Sequence, residues 1–333
     1  MTRLVTALAL TSCAALAARG GAPALVARDV YVMGTRATLA AYAPTRDTGR
    51  AALDTALAVL DETEGELSTW RDTSRISALN HQPVGVPWQA TPTLCHMFAA
   101  VWQWYEATGG AFDPGIGRLL EAWDVHGEGA IPTREAARRA QSLSGLSRLS
   151  FDSSRCTLTK HADATIDVGA FGKGEALDRV DAALGDSAWM INLGGQISVG
   201  GPTPAGGWPV AIADPRHRDR PFLQVRLLEG SLSTSGGSER NLVVNGIRVS
   251  HIFDPRSGQP ARFGGSVSVW HRRGLAADAL STALFVMGPD EGLRWAEAHR
   301  VAALYLIPAG DAVRVAASAA FQTAAGVRVT GLE

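Results

Sequence analysis

"TIDVGAFGKGEALDR", residues 165–179, decides which folds are open to this chain. An apolar approach reaches Asp167, three glycines and a lysine follow, and then a helix-like pattern begins. A Walker loop needs Gly-x-x-x-x-Gly-Lys-Ser/Thr, but here Gly174 and Glu175 follow Lys173 and offer no hydroxyl for magnesium. A dinucleotide fingerprint needs Gly-x-Gly-x-x-Gly, but here the order is Gly169-x-x-Gly172-x-Gly174. Neither nucleotide fold can be written through the stretch. A glycine-rich turn opening a helix at about Gly174 still presents backbone N–H groups and a positive helix end, suited to a phosphate or pyrophosphate. Asp167 beside it would meet a hydrogen-bond donor. The competing reading is a plain tight turn whose glycines serve only positive φ.

The flanking chain mixes helices and strands. "RAALDTALAVLDETEGELSTW" (50–70) reads as an amphipathic helix, with Leu53, Leu57, Leu60 and Leu67 near one face. "LCHMFAAVWQWYEATGG" (94–110) gives a second, striped by Leu94, Phe98, Val101, Trp102 and Tyr105 and closed by Gly109-Gly110 as a C-cap. "RLSFD" and "CTLTK" form a predicted hairpin, and "WMINLGGQISVGG" (189–201) a strand followed by glycines. Short alternating runs follow through "PVAIADP", "FLQVRLL", "RNLVV" and "IRVSHIFDP", with Asn245-Gly246 signalling a type I′ hairpin. "AADALSTALFVMG" and "LRWAEAHR" return to helix before the strands "AALYLI" and "AVRVAA". The order is not strict β-α-β alternation, which makes the fold α+β, with two interleaved lobes sharing one cleft.

The 333 residues, 46% apolar and 19% charged, suffice for one large core or two modest ones. A formal net charge of −1 excludes a general polyanion-binding surface, so no nucleic-acid partner is expected. The first 28 residues are set apart as a leader and short linker, and 29–333 as one domain. "MTRLVTALALTSCAALAARGG" has the shape of a secretory signal. Leu10-Thr11-Ser12-Cys13 resembles a bacterial lipobox, in which the cysteine is lipidated; cleavage after Ala15-Leu16-Ala17 and an uncleaved Ala-rich start are the other readings. Lipidation of Cys13 would leave Cys95 and Cys156, either paired or free and buried, and no Cys-x-x-Cys pair supports zinc or redox chemistry.

Three further segments carry polar chemistry. In "ADALSTALF", Asp278 and Thr282 are four apart and share a helix face, a carboxylate and a hydroxyl suited to magnesium. In "SHIFDPRSG", His251 and Asp254 stand where Pro255 and Gly258 force a turn, and a histidine there can serve as a general base. In "GGAFDP", Phe112 and Asp113 follow a helix end, while Trp70 offers a flat aromatic face. Taken singly, each also has an incidental reading as a packing or surface residue.

Together, "MGT" (33–35), "LSTW" with "SRISALN" (67–80), "GGAFDPGIGRLLEAW" (109–123), "IDVGAFGKGEALDRV" (166–180), "NLGGQISVGG" (192–201), "TSGGSER" (234–240), "HIFDPRSGQP" (251–260) and "ADALSTALFVMG" (277–288) run in the order of one family. Over about residues 30–310 the chain resembles the ApbE-type FAD:protein FMN transferases. The resemblance implies a T-fold-like α+β architecture with a flavin cleft between two lobes, and a periplasmic, membrane-anchored lipoprotein. It places Met33 against the flavin, Trp70 stacked near it, and Ala111, Phe112 and Asp113 along the isoalloxazine and adenine-side pocket. Asp167 and Lys173 would hold the nucleotide, and Ile252 would contact FAD. The backbone oxygen of Ala170, with Asp278 and Thr282, would bind Mg²⁺, and His251 would be the base. Three departures stand out: Phe171-Gly172-Lys173-Gly174 replaces an aliphatic-Ala-Lys-Gly core, Ser238 stands where a tyrosine is common, and Trp70 replaces tyrosine or phenylalanine.

The implied reaction moves FMN from FAD, the substrate, to a Thr or Ser hydroxyl of an acceptor flavoprotein, usually a redox-complex subunit, with release of AMP. Two alternatives use the same residues differently: a FAD pyrophosphatase with water as nucleophile, and a flavin-binding lipoprotein with no chemistry.

Overall fold

The computed structural model describes residues 22–237, 242–244 and 246–332. Cys13 and the leader up to residue 21, Ser238 and Asn245 lie outside the described residues. One antiparallel sheet of eight strands organises the chain, in the spatial order Ala24–Val32, Thr35–Ala43, Ala188–Leu193, Gln196–Gly200, Gly230–Gly236, Ser266–His271, Ala302–Ala309 and Ala312–Ala317. The first strand crosses the 28/29 boundary, since Ala24–Arg28 pair with Leu39–Ala43.

Side-chain alternation sends the two faces of this sheet to different partners. Ala37, Leu39 and Ala41 pack with Leu53, Ala56 and Leu60 of the helix Arg46–Leu67 and with Leu177 and Val180 of the helix Gly172–Leu184. Ala40, Val199, Leu304 and Leu306 face the other way, onto a three-stranded sheet of Trp208–Asp214, His217–Leu227 and Val327–Leu332. A second lobe is built around the helix Pro92–Ala107, where Leu94, Phe98 and Val101 pack against Phe112, Leu158 and Phe171. The helix Gly274–His299 joins the lobes: Leu275, Ala279 and Ala283 enter the second lobe's core, while Leu280, Leu284 and Phe285 pack on the large sheet against Val267, Val269, Ala303 and Tyr305. It kinks at Gly288, where φ is +72° and Pro289 follows.

Several expected elements are adjusted. "WMINLGGQISVGG" is two strands rather than one, paired Leu193 to Gln196 around Gly194-Gly195, whose φ of +59° and +94° make the turn. The helix expected to open at about Gly174 begins at Gly172. The second helix ends at Ala107 with Thr108 as its cap, and the two glycines follow it at positive φ. Leu242–Val244 pairs antiparallel with Ile247–Val249, as strands flanking the expected turn would. Cys95 and Cys156 are joined by a disulfide that ties the helix Pro92–Ala107 to the strand Thr157–Lys160. No helix among the described residues is long and apolar enough to cross a membrane.

Candidate active site

Between the lobes lies a cleft of about 730 Å³. Asp254 accepts from Arg256 Nε at 3.0 Å and is not among the residues lining the cleft. The twelve residues assigned to a site in the sequence do line it: Met33, Trp70, Ala111, Phe112, Asp113, Asp167, Ala170, Lys173, His251, Ile252, Asp278 and Thr282. They come from six separate stretches of chain, so the fold has to assemble them.

The polar floor forms where the helices Gly172–Leu184 and Gly274–His299 cross. Their approach is so close that a Cβ on Gly174 would stand 2.2 Å from the Gly274 carbonyl oxygen. Only glycine permits that contact. It brings the Gly174 N–H to 3.1 Å from Asp278 Oδ2, while Lys173 Nζ lies 3.3 Å from Asp278 Oδ1. Ser233 Oγ, on the neighbouring strand, is 3.4 Å from the same Oδ1. A buried carboxylate is tolerable only with such partners. Thr282, one helical turn further, donates to the Asp278 carbonyl and shares the cleft wall with Ala170. Three oxygen donors of this kind match magnesium, which retains waters and takes phosphate oxygens as remaining ligands. No cluster of three or more His, Cys, Asp or Glu side chains able to hold a metal exists among the described residues, so an all-side-chain metal cage is not on offer.

The loop before this floor is held from outside the cleft. Asn80 clamps Ile166 from both sides, donating to its carbonyl at 2.9 Å and accepting its N–H at 2.8 Å. The buried Lys160 ammonium donates to the Asn80 carbonyl at 2.7 Å, and burial lowers its pKa. Asp167 is thereby aimed at the cleft, where one oxygen accepts from the Gly169 N–H at 2.8 Å and the other lies 3.1 Å from His126 Nε2. Asp113 lines the cleft and also ties neighbouring loops together. Its Oδ1 accepts the Gly115 and Leu146 N–H groups at 2.8 and 2.9 Å, joining two loops. Burial pushes its pKa up to about 6, against those two N–H bonds. Ala111 and Phe112 are core residues that show one edge to the cleft, with Phe112 edge-on to Phe171 at 6.4 Å.

Trp70 stands at the mouth, 70% exposed, with its indole edge-on to His126 at 4.9 Å. Met33 occupies the tip of a two-residue turn at φ +51°, and its N–H donates to Glu64 at 3.0 Å. A methionine in left-handed backbone is unusual, and here it directs the side chain to the cleft. His251 and Ile252 line the opposite wall, where the Ala261 N–H fixes the loop through the Ile252 carbonyl.

Sequence reasoning missed His126, Gln196, and the serines Ser233, Ser235 and Ser281. The last three form a buried chain, Ser281 Oγ lying 3.1 Å from Ser233 Oγ and 2.9 Å from Ser235 Oγ. Serines at every second position of "GSLSTSG" (230–236) were the available signal, because a buried strand face seldom carries hydroxyls without partners for them.

A deep cleft lined by a buried carboxylate, a lysine and the N-terminus of the helix Gly172–Leu184 is the construction of a phosphate-handling enzyme. The chain belongs to the ApbE family, whose sequence model matches residues 33–305. It is 31% identical over 283 residues to a FAD:protein FMN transferase of Treponema pallidum, covering 78% of this chain and 77% of the relative. Against the FAD:protein FMN transferase of Vibrio cholerae it is 29% identical over 275 residues, 79% of this chain and 81% of that one. Among solved structures, the ApbE protein of Thermotoga maritima superposes with a TM-score of 0.82 at 26% identity, over 90% of this chain and 98% of that one. The flavinyl transferase ApbE of Pseudomonas stutzeri gives 0.78 at 29% identity, over 90% and 96%. The α+β fold is the ApbE architecture.

Proposed function

We propose that this enzyme transfers FMN from FAD to a Thr or Ser hydroxyl of an acceptor flavoprotein, releasing AMP. The observation that carries the reading is the position of Asp278, facing the cleft beside the N-terminus of the helix Gly172–Leu184. The positive end of the helix Gly172–Leu184 favours a pyrophosphate there. Lys173 would add a second cationic contact. The Ala170 carbonyl, Asp278 and Thr282 would hold Mg²⁺, which supplies Lewis-acid neutralisation of phosphoryl charge when bound. Met33 and Trp70 would sandwich the flavin end, and Asp167, oriented by Gly169 and His126, would hold the nucleotide.

His251 would accept the proton of the attacking hydroxyl, a contribution typically of about 10²–10⁴-fold. The alcohol oxygen forms a bond to the FMN-side phosphorus, the bond from that phosphorus to the bridging oxygen breaks, and AMP leaves with that oxygen. The same residues would serve a pyrophosphatase if water replaced the alcohol. An acceptor carrying a Thr or Ser in a short Gly/Ala/Ser-rich context, incubated with FAD and Mg²⁺, separates the readings: covalent FMN on the acceptor supports transfer, and free FMN alone supports hydrolysis.

We place the protein in the periplasm, anchored through a lipid on Cys13. The Cys95–Cys156 disulfide supports export, because such bonds persist in oxidising compartments. Globomycin treatment of expressing cells tests the anchor: accumulation of the unprocessed precursor is expected, and unchanged processing would rule out lipidation.

A further inference from the structure

Gln196 is 1% exposed, yet it lines the cleft. Its amide orientation is fixed by chemistry: Nε2 lies 2.9 Å from the Gly274 carbonyl oxygen, which can only accept, and 3.1 Å from Ser231 Oγ. The nitrogen must therefore face that pair, and the oxygen is the other atom. Gln196 Oε1 is buried and has no hydrogen-bond partner among the described residues. A buried amide oxygen without a donor is costly, because its desolvation is not repaid. In a binding cleft it marks the place of a donor that arrives with the ligand.

The location says which part of the ligand that is. On one side, the turn Gly194-Gly195 leads from Gln196 to Thr35 and Met33, with a Gly194 Cβ position only 2.7 Å from Thr35 Oγ1. That is the end of the cleft assigned to the flavin ring. On the other side, the Nε2 contact is to Gly274, one helical turn before Asp278, which is the phosphate end. Gln196 stands between ring and pyrophosphate. In FAD that interval is the ribityl chain, which carries hydroxyl donors.

Resting on the transferase reading above, we infer that Gln196 Oε1 accepts a hydrogen bond from a ribityl hydroxyl of FAD and so selects the flavin half of the dinucleotide. The hydroxyl replaces the missing donor, and the Gly274 carbonyl holds the amide in register for it.

The test compares FAD with ADP, which has the pyrophosphate and adenosine but no ribityl chain. Affinities of the purified full-length protein are measured by calorimetry in Mg²⁺ for wild type and Gln196→Met, with melting temperatures to verify folding. The FAD affinity of Gln196→Met should fall about tenfold while ADP binding stays within twofold. Unchanged FAD affinity would overturn the inference, as would equal losses for FAD and ADP, which would mean that Gln196 acts only by supporting Gly274. Because Gln196→Met also removes the Nε2 donor, Ser231→Ala is measured beside it. That variant loses one of the same bonds but keeps Oε1, and it should keep the preference for FAD. Failure of wild type itself to bind FAD would instead sink the functional reading.

Discussion

Asp178 and Asp278 stand on two crossing helices, and each accepts hydrogen bonds from the first turn of the other. Asp178 takes the N–H groups of Gly274 and Leu275 at 2.6 and 3.1 Å, and Asp278 takes that of Gly174 at 3.1 Å. The exchange satisfies otherwise orphaned helix donors and locks the two helices together at their crossing. Asp178 is structural, whereas Asp278 keeps a face on the cleft. Asp278→Asn retains an acceptor for Gly174 and removes the charge. Turnover should drop by roughly 10²-fold or more with little change in melting temperature. An unchanged rate in a steady-state assay for AMP would remove Asp278 from the metal site.

The same crossing depends on Gly174. Gly174→Ala puts a methyl group against the Gly274 carbonyl, which is backbone and cannot step aside cheaply. Denaturant unfolding should show a loss of about 3 kcal/mol or more, and activity should fall with it. A variant of native stability would mean that the helices are further apart than described.

His251→Ala separates chemistry from binding. A general base acts on the transferred proton, so kcat should fall by about 10²–10⁴-fold while the FAD dissociation constant changes little. Matching losses in both would make His251 a binding residue.

Asp113 gives stability a pH dependence of definite sign. Its folded pKa, about 6, is above the ordinary 3.8, so the folded state holds the proton more tightly than the unfolded one. Stability from this group is therefore greatest below pH 4 and declines as pH rises through 6, by about 3 kcal/mol at the outside. Asp113→Asn keeps the acceptor for Gly115 and Leu146 and should flatten the slope. Thermal melts of both proteins between pH 4 and 7 check this; parallel curves would contradict it.

Cys95 and Cys156 close a loop with a sequence separation of 61. In the chain-entropy account a crosslink of that span is worth about 4 kcal/mol. Reduction, or the Cys95→Ser/Cys156→Ser pair, should lower the melting temperature by several degrees, and an identical melt with and without reductant would show that the bridge is absent.

The long helices and most strands were legible because each carries one clear period: Leu53, Leu60 and Leu67 are buried as their spacing requires. Turns were less so. Asn-Gly is a strong hairpin signal, but Met33-Gly34 makes the same kind of turn with a residue that local propensity argues against. Nothing in the neighbouring residues announces Met33; its conformation is fixed by Glu64 and by the cleft. Asp278, Thr282 and His251 could be named from their segments, but their convergence is a tertiary fact. Gln196, Ser233 and Ser235 escaped notice because a polar residue in a strand looks solvent-facing until the sheet is covered, here by the helix that carries Ser281.

The most direct measurement is the intact mass of a purified acceptor after incubation with this protein and FAD, with Mg²⁺ and again after exhaustive chelation. The account predicts that the acceptor gains one covalent FMN in the presence of Mg²⁺, with an equivalent of AMP released, and gains none after chelation. Equal modification in both samples would contradict it, as would release of free FMN with the acceptor left unmodified.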